Sequence, residues 1–118
     1  MQVKFKSHYV PEGTYNLIGS RYPNNRLALL LRDTDTGEPI GMLTRNLPNN
    51  PLRSDEVILK NYSENEGCVE ALIEAGIVEK AHRWVMSGYM QLPVCRLTPL
   101  GQELEASTDF LGVVRLSA

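Results

Sequence analysis

Hydrophobic and polar residues alternate at the start of the chain and then form short apolar runs, a pattern typical of strands. The segment QVKFK alternates from Gln2 onward, and Leu27–Leu31 is an apolar run that the turn DTDTGEP, Asp33–Pro39, connects to IGML. Because a short turn folds the second segment back on the first, this part of the chain predicts a hairpin. The proline- and asparagine-rich loop NLPNNPLRSD then precedes another short strand, Glu56–Lys60.

A second hairpin is predicted near the end of the chain. The segments EKAHRWVM and YMQLPVCRL flank Ser87 and Gly88, which are suited to a tight turn. Proline cannot donate a hydrogen bond within a sheet, so Pro93 predicts that the second strand of this hairpin is an outer strand or contains a bulge. Four glycines are interpreted as isolated turn or bulge residues: Gly13, Gly19, Gly37 and Gly41.

The spacing of apolar residues changes to three and four between Asn61 and Val78, which predicts a helix. Ser63 and Glu66 form the S-x-x-E pattern of a capping box, in which each side chain accepts a hydrogen bond from the backbone N–H of the other residue. Gly76 is suited to the left-handed position that follows a helix, with the next residue folding back on the last turn. The predicted helix therefore runs from Ser63 to Ala75.

The tail LTPLGQELEAS predicts a further short helix, with Thr98 as its N-cap and Pro99 at the first helical position, despite Gly101. Strands on both sides of one principal helix indicate an α+β fold. We expect a mainly antiparallel sheet with the helix of residues 63–75 packed on one face. A length of 118 residues fits a single domain, residues 1–118.

Charge is unevenly distributed along the chain. Residues 1–32 contain five basic residues and one acid, a net charge of +4, whereas residues 55–79 contain seven acids and one lysine, a net charge of −6. Within the acidic segment, Glu66, Glu70 and Glu74 are four residues apart and form a row on the predicted helix. This row is either an ordinary solvated surface or a face that binds a basic protein partner.

Candidate chemistry is sparse. His8 and His82 are not spaced from Cys68 or Cys95 as in a zinc site, and neither a phosphate-binding glycine loop nor a catalytic serine motif occurs. We expect no enzyme activity, no metal and no cofactor. The two cysteines lack a C-x-x-C spacing and no apolar run is long enough to cross a bilayer, so we expect a cytoplasmic protein with no membrane segment.

Three stretches resemble an uncharacterised family of small proteins encoded by phages, plasmids and other mobile elements of bacteria. They are TGEPIGMLTRNLP, NYSENEGCVEALIEAG and GYMQLPVCRL, and the resemblance covers about residues 27–97. It implies a cytoplasmic accessory protein, for which inhibition of a host defence such as CRISPR interference is a common role. No catalytic residue is implied, and the role of the basic segment from Lys4 to Arg32 stays open.

A second resemblance covers about residues 72–106. LIEAGIVEK followed by VCRLTPLGQELEA is similar to the end of a recognition helix, a wing and a following helix in winged-helix regulators. In those proteins the helix before the wing enters a DNA groove. Here that helix carries Glu66, Glu70 and Glu74, which DNA phosphates would repel, and the strand-like first half leaves no room for the two helices that normally precede it.

These patterns predict a small non-catalytic binding protein. The leading hypothesis is an anti-defence inhibitor, similar to an anti-CRISPR protein, whose partner is a host protein or nucleoprotein defence complex and whose partner-binding residues are Glu66, Glu70 and Glu74. The alternative is a small winged-helix-like DNA-binding regulator. Direct nucleic-acid binding ranks second because the predicted recognition helix is acidic.

Overall fold

A computed structural model describes residues 1–6, 10–62 and 67–106 of the chain. The first half forms a four-stranded antiparallel sheet in the order β1-β2-β3-β4. Its strands are β1 (Gln2–Phe5), β2 (Gly13–Arg21), β3 (Leu27–Asp33) and β4 (Pro39–Met42). The predicted hairpin of β3 and β4 is confirmed, and Gly37 at φ +72° lies in its turn.

The longest of these strands, β2, was not predicted from the sequence, and it contains Gly13 and Gly19. Its residues alternate between the core and the outer face of the sheet, with Tyr15 and Leu17 buried, so the period of two was present in the sequence. Gly19 pairs with Leu29 inside a regular ladder, and Gly13 is the first residue of β2 and pairs with Phe5, so interpreting them as turn or bulge residues was wrong.

A three-stranded antiparallel sheet forms from the second half, in the order β5-β7-β6. Its strands are β5 (Glu56–Ile58), β6 (Arg83–Ser87) and β7 (Met90–Arg96). The predicted hairpin is confirmed, but β7 is the central strand and not an outer one. Pro93 is tolerated there because it lies opposite Leu59, just past the end of β5, where it accepts the Leu59 N–H at 3.0 Å and no donor is needed.

Residues after β4 connect the two sheets. Thr44 and Leu59 form an antiparallel bridge, and on either side of it the Arg45 N–H bonds to the Ile58 carbonyl and the Lys60 N–H to the Leu43 carbonyl, each at 2.9 Å. The two sheets therefore share one run of backbone hydrogen bonds. This continuity brings the end of β5, and the charged residues around it, next to the loops of the first sheet.

The first helix, α1, spans Cys68–Glu74 and is shorter than predicted. Gly67 has φ +97°, a left-handed conformation that interrupts a right-handed helix, so the helix begins at Cys68 and not near Ser63. The predicted capping box of Ser63 and Glu66 lies outside the described residues. The C-terminal end is as predicted, because Gly76 has φ +78° and the Ile77 N–H bonds to the Leu72 carbonyl at 2.9 Å, as in a Schellman motif.

The predicted tail helix is confirmed as α2, Pro99–Ala106. The Thr98 hydroxyl accepts the Gly101 N–H at 3.1 Å, as expected of an N-cap, and Pro99 occupies the first helical position. Since α2 has eight residues and α1 has seven, the expectation of one principal helix is not confirmed. The coarser expectation is confirmed: this is an α+β fold dominated by antiparallel sheets.

Gly101 is required by packing and not by helix geometry. A Cβ atom at this position would lie 2.3 Å from the Ile77 carbonyl oxygen and 3.0 Å from Cδ2 of Leu97. We therefore expect Gly101→Ala to lower the free energy of unfolding by about 1–3 kcal/mol through overpacking. The better helix propensity of alanine offsets no more than about 1 kcal/mol of this.

Urea denaturation followed by circular dichroism measures this effect, with Glu103→Ala, at an exposed position of the same helix, as the control. A Gly101→Ala protein as stable as the wild type would show that α2 packs less closely against Ile77 than described.

Both helices pack against the inner side of the first sheet. The main core combines Phe5 and Leu17 from that sheet with Leu72 from α1 and Leu97 after β7, while Leu104 of α2 packs at its margin. A smaller cluster of Ile58, Val85, Leu92 and Val94 lies on the other side of the second sheet. Neither helix is long and apolar enough to span a membrane, within the part of the chain that the structure describes.

Candidate functional site

A groove with a volume of about 690 Å³ lies between β1 and α1. One wall is the edge strand β1 and the other is the exposed side of α1, with Glu12, Gly13 and Thr14 at one end. The groove therefore joins a sheet edge to a helix. This combination offers backbone hydrogen-bonding groups on one side and side chains on the other.

The backbone of β1 is paired on one side only. Met1 and Leu17 exchange hydrogen bonds, with the Leu17 N–H 2.6 Å from the Met1 carbonyl and the Met1 amino group 3.3 Å from the Leu17 carbonyl. Because the direction of these groups alternates along a strand, Val3 and Phe5 also point toward β2, whereas the N–H and C=O groups of Gln2 and Lys4 point to the open edge. No partner for those edge groups occurs among the described residues.

The acidic row forms part of the other wall. Glu70 and Glu74 are exposed, lie one turn apart on α1 and line the groove together with the small residues Ala71 and Ala75. The structure therefore places two of the three predicted partner-binding residues on one surface. The third, Glu66, lies outside the described residues.

Basic residues also line this groove, on its β1 side. Lys4 and Lys6 line the β1 side, so the basic beginning of the chain and its acidic middle meet here. The described structure contains no ion pair between Lys4 or Lys6 and Glu70 or Glu74. Both walls thus keep charged groups that are available to a ligand.

A second polar centre surrounds the buried carboxylate of Glu56. Its Oε1 accepts the Arg83 Nη2–H at 3.0 Å and the backbone N–H of Arg53 at 2.8 Å, and its Oε2 accepts the Arg83 Nε–H at 3.2 Å. His82 Nε2 lies 2.5 Å from Oε2. Sequence reasoning missed this centre, because Glu56 and Arg83 are 27 positions apart and neither lies in a recognisable motif.

These contacts stabilise the ionised form of Glu56. The hydrogen bonds from Arg83 are the main reason that the pKa of Glu56 falls from 4.5 to about 2, against the opposing effect of burial. A carboxylate with so low a pKa, whose oxygens already accept these hydrogen bonds, is poorly matched to proton transfer near neutral pH. Its role is to hold Arg83 and His82 in place.

The two cysteines are also poorly suited to chemistry. Cys68 and Cys95 are free and buried, and burial raises the pKa of both thiols, that of Cys95 to about 11. Both thiols are therefore protonated at neutral pH and weak as nucleophiles. Among the described residues, no group of three or more His, Cys, Asp or Glu side chains is placed to hold a metal ion.

Comparison with known proteins adds no assignment. No family model matches the chain, and no curated protein or solved structure is significantly similar to it.

Proposed function

We propose that this protein is a non-catalytic binding protein that captures an extended segment of a partner protein in the groove between β1 and α1. The observation that carries this proposal is the open backbone edge of β1 beside the exposed face of α1. An extended segment added to a sheet edge gains main-chain hydrogen bonds, and pockets for alternate side chains supply selectivity.

The geometry of β1 supports antiparallel or parallel addition of one strand. Gln2 and Lys4 present their N–H and C=O groups to the open edge, so a partner strand satisfies groups that have no partner among the described residues. On the helix side, Ala71 and Ala75 are short enough to let a partner backbone approach. The groove therefore fits a strand better than it fits a bulky helix.

The charges of the groove indicate which sequence a bound strand should have. In the bound segment, side chains that point toward α1 lie near Glu70 and Glu74. Side chains that point the other way lie on the same side of the sheet as Lys4. A segment with lysine or arginine toward α1 and neutral or acidic residues on its other face complements both walls. Glu70 and Glu74 thus keep their proposed role as partner-binding residues.

The biological setting that we propose is inhibition of a bacterial defence complex in the host cytoplasm. Its support is the resemblance of residues 27–97 to small proteins of mobile elements, together with a groove suited to binding a protein segment. In this setting the protein acts like an anti-CRISPR protein, by occupying a surface that the defence complex needs.

One observation favours the alternative, a DNA-binding regulator. The order of α1, the β6–β7 hairpin and α2 matches the helix, wing and helix that the winged-helix resemblance implies. However, residues 1–6 and 10–62 contain strands and no helix, so the described part lacks the helices that normally precede the recognition helix. The exposed Glu70 and Glu74 on α1 also oppose contact with DNA phosphates.

A proline at the open edge tests the proposed binding mode. Lys4→Pro removes an N–H that points away from β2, so the β1–β2 ladder stays intact while an added strand loses a donor and meets the ring. Against peptides selected from a displayed random library, we expect affinity to fall by about tenfold or more, since one hydrogen bond and its steric fit are lost.

Lys4→Ala is the matched control, because it removes the same charge and keeps the N–H. We expect it to retain most of the peptide affinity, and the selected peptides to carry basic residues at alternate positions. Reversing Glu70 and Glu74 to lysine should weaken these peptides and reduce the salt dependence of binding. Equal affinities for Lys4→Pro and Lys4→Ala would exclude strand addition, and tight sequence-selective binding of duplex DNA by the wild type would favour the regulator.

A further inference from the structure

Five of the eight arginines in the chain line two adjoining cavities that are separate from the groove. One cavity, of about 420 Å³, is lined by Arg53, Arg83 and Arg96 together with His82. The other, of about 270 Å³, is lined by Arg21, Arg26 and again Arg53. Leu52, Arg53 and Glu56 belong to both, so the cavities form one continuous surface, which we call the arginine cluster.

The acidic residues at the arginine cluster are too few to neutralise its positive charge. Glu56 is occupied by Arg83, and Asp55 forms an ion pair with Arg96 Nε at 3.4 Å. Leaving Arg21 and His82 out of the sum, the four other arginines and these two carboxylates give a net charge of +2. Because like charges repel, an anion bound among these arginines stabilises the surface.

Several of the guanidinium groups are held in fixed positions. Arg26 donates to the carbonyls of Leu47 at 2.8 Å and Asn50 at 2.6 Å, and Arg83 donates to the Pro51 carbonyl at 2.8 Å as well as to Glu56. Carbonyl acceptors orient an arginine without neutralising its charge. Binding an anion therefore costs little further ordering of these side chains.

Two arginines at the cluster have donors to spare. The Arg53 side chain has no hydrogen bond or ion pair with the described residues, and it stands between the two cavities. Arg96 Nε is buried and, despite its proximity to Asp55, has no hydrogen-bond acceptor in the described part of the chain. Both side chains therefore keep donor capacity that a bound anion can use.

We propose that the arginine cluster binds phosphate groups, with Arg53 and Arg96 contacting one phosphate in the larger cavity and Arg53 also contacting a neighbouring phosphate in the smaller cavity, which Arg26 lines. Planar guanidinium groups match phosphate oxygens in geometry and charge. Two connected cavities favour a ligand that carries two or more phosphates, either a single nucleic-acid strand or a free di- or polyphosphate.

The two ligand sources are distinguished by two probes, a fluorescent oligothymidylate and inorganic pyrophosphate, titrated against the full chain. We expect Arg53→Gln to weaken binding of the favoured probe by about tenfold or more. If the probe is the oligonucleotide, the salt dependence should also fall by about one unit in slope. Oligonucleotide binding without pyrophosphate binding assigns a nucleic-acid strand, and comparable affinities assign a free di- or polyphosphate.

Arg32→Gln is the matched control. It makes the same change in charge and side chain on β3, but Arg32 is about 17 Å along the strand from Leu27 at the smaller cavity, beyond the screening length at moderate salt. We expect it to change affinity by less than about threefold. Equal losses for the two variants, or no binding of either probe by the wild type, would overturn the proposal; thermal melting checks that both variants are folded.

The phosphate site and the peptide groove are independent in this design. Reversing Glu70 and Glu74 should leave pyrophosphate binding at the arginine cluster unchanged, and Arg53→Gln should leave peptide binding unchanged. A failure of one proposal therefore does not affect the other.

Discussion

Leu72→Ala is expected to lower the free energy of unfolding by about 2–5 kcal/mol. Leu72 is fully buried in the main core, and its carbonyl accepts the Ile77 N–H that ends α1. Truncation removes buried apolar surface and leaves a cavity that a seven-residue helix cannot close by itself. Urea denaturation monitored by circular dichroism gives the value directly.

Two neighbours on the same helix provide the controls for this measurement. Ile73 is only partly buried, so Ile73→Ala should cost less than Leu72→Ala, and Glu74→Ala, at an exposed position, should change stability by less than about 0.5 kcal/mol. If Leu72→Ala cost no more than Glu74→Ala, the buried face of α1 would be misassigned.

Glu56→Gln is expected to lower the free energy of unfolding by about 1.5–3 kcal/mol at neutral pH. Glutamine keeps the size of the side chain but loses the charge that Arg83 and His82 contact, and its NH₂ group faces donors instead of acceptors. Asp55→Asn is the control, because Asp55 is the neighbouring carboxylate in a more exposed ion pair, for which we expect a loss below about 1 kcal/mol.

The effect of Glu56→Gln should depend on pH in a defined direction. Since the pKa of Glu56 is lowered from 4.5 to about 2 in the folded protein, the ionised side chain contributes its full stability above pH 4.5 and loses it as the pH falls toward 2. The wild type should therefore lose its advantage over Glu56→Gln across this range. A stability difference between the two proteins that stays constant from about pH 6 to about pH 2.5 would contradict the role of the charge.

Local signals in the sequence predicted the elements whose ends depend on neighbouring residues. Gly76 and Ile77 form the Schellman motif at the end of α1, and Thr98 with Pro99 starts α2, because these contacts span only a few residues. The start of α1 was predicted wrongly for a different reason. The S-x-x-E pattern is a local preference, and the left-handed Gly67, whose N–H bonds to the Asn61 side chain at 3.2 Å, does not allow one helix to continue across it.

By itself, the sequence determined the sheet-dominated α+β class, both hairpins, the end of α1 and the exposed glutamates of α1, since alternation, turn residues and helix spacing act over short distances. Only the tertiary structure decided that β7 is central, that Gly101 lies against the Ile77 carbonyl, and that β1 and Glu70 line one groove. The arginine cluster was also decided by the tertiary structure, because it combines residues from position 21 to position 96. Such placements depend on contacts between distant segments, which no short stretch of sequence encodes.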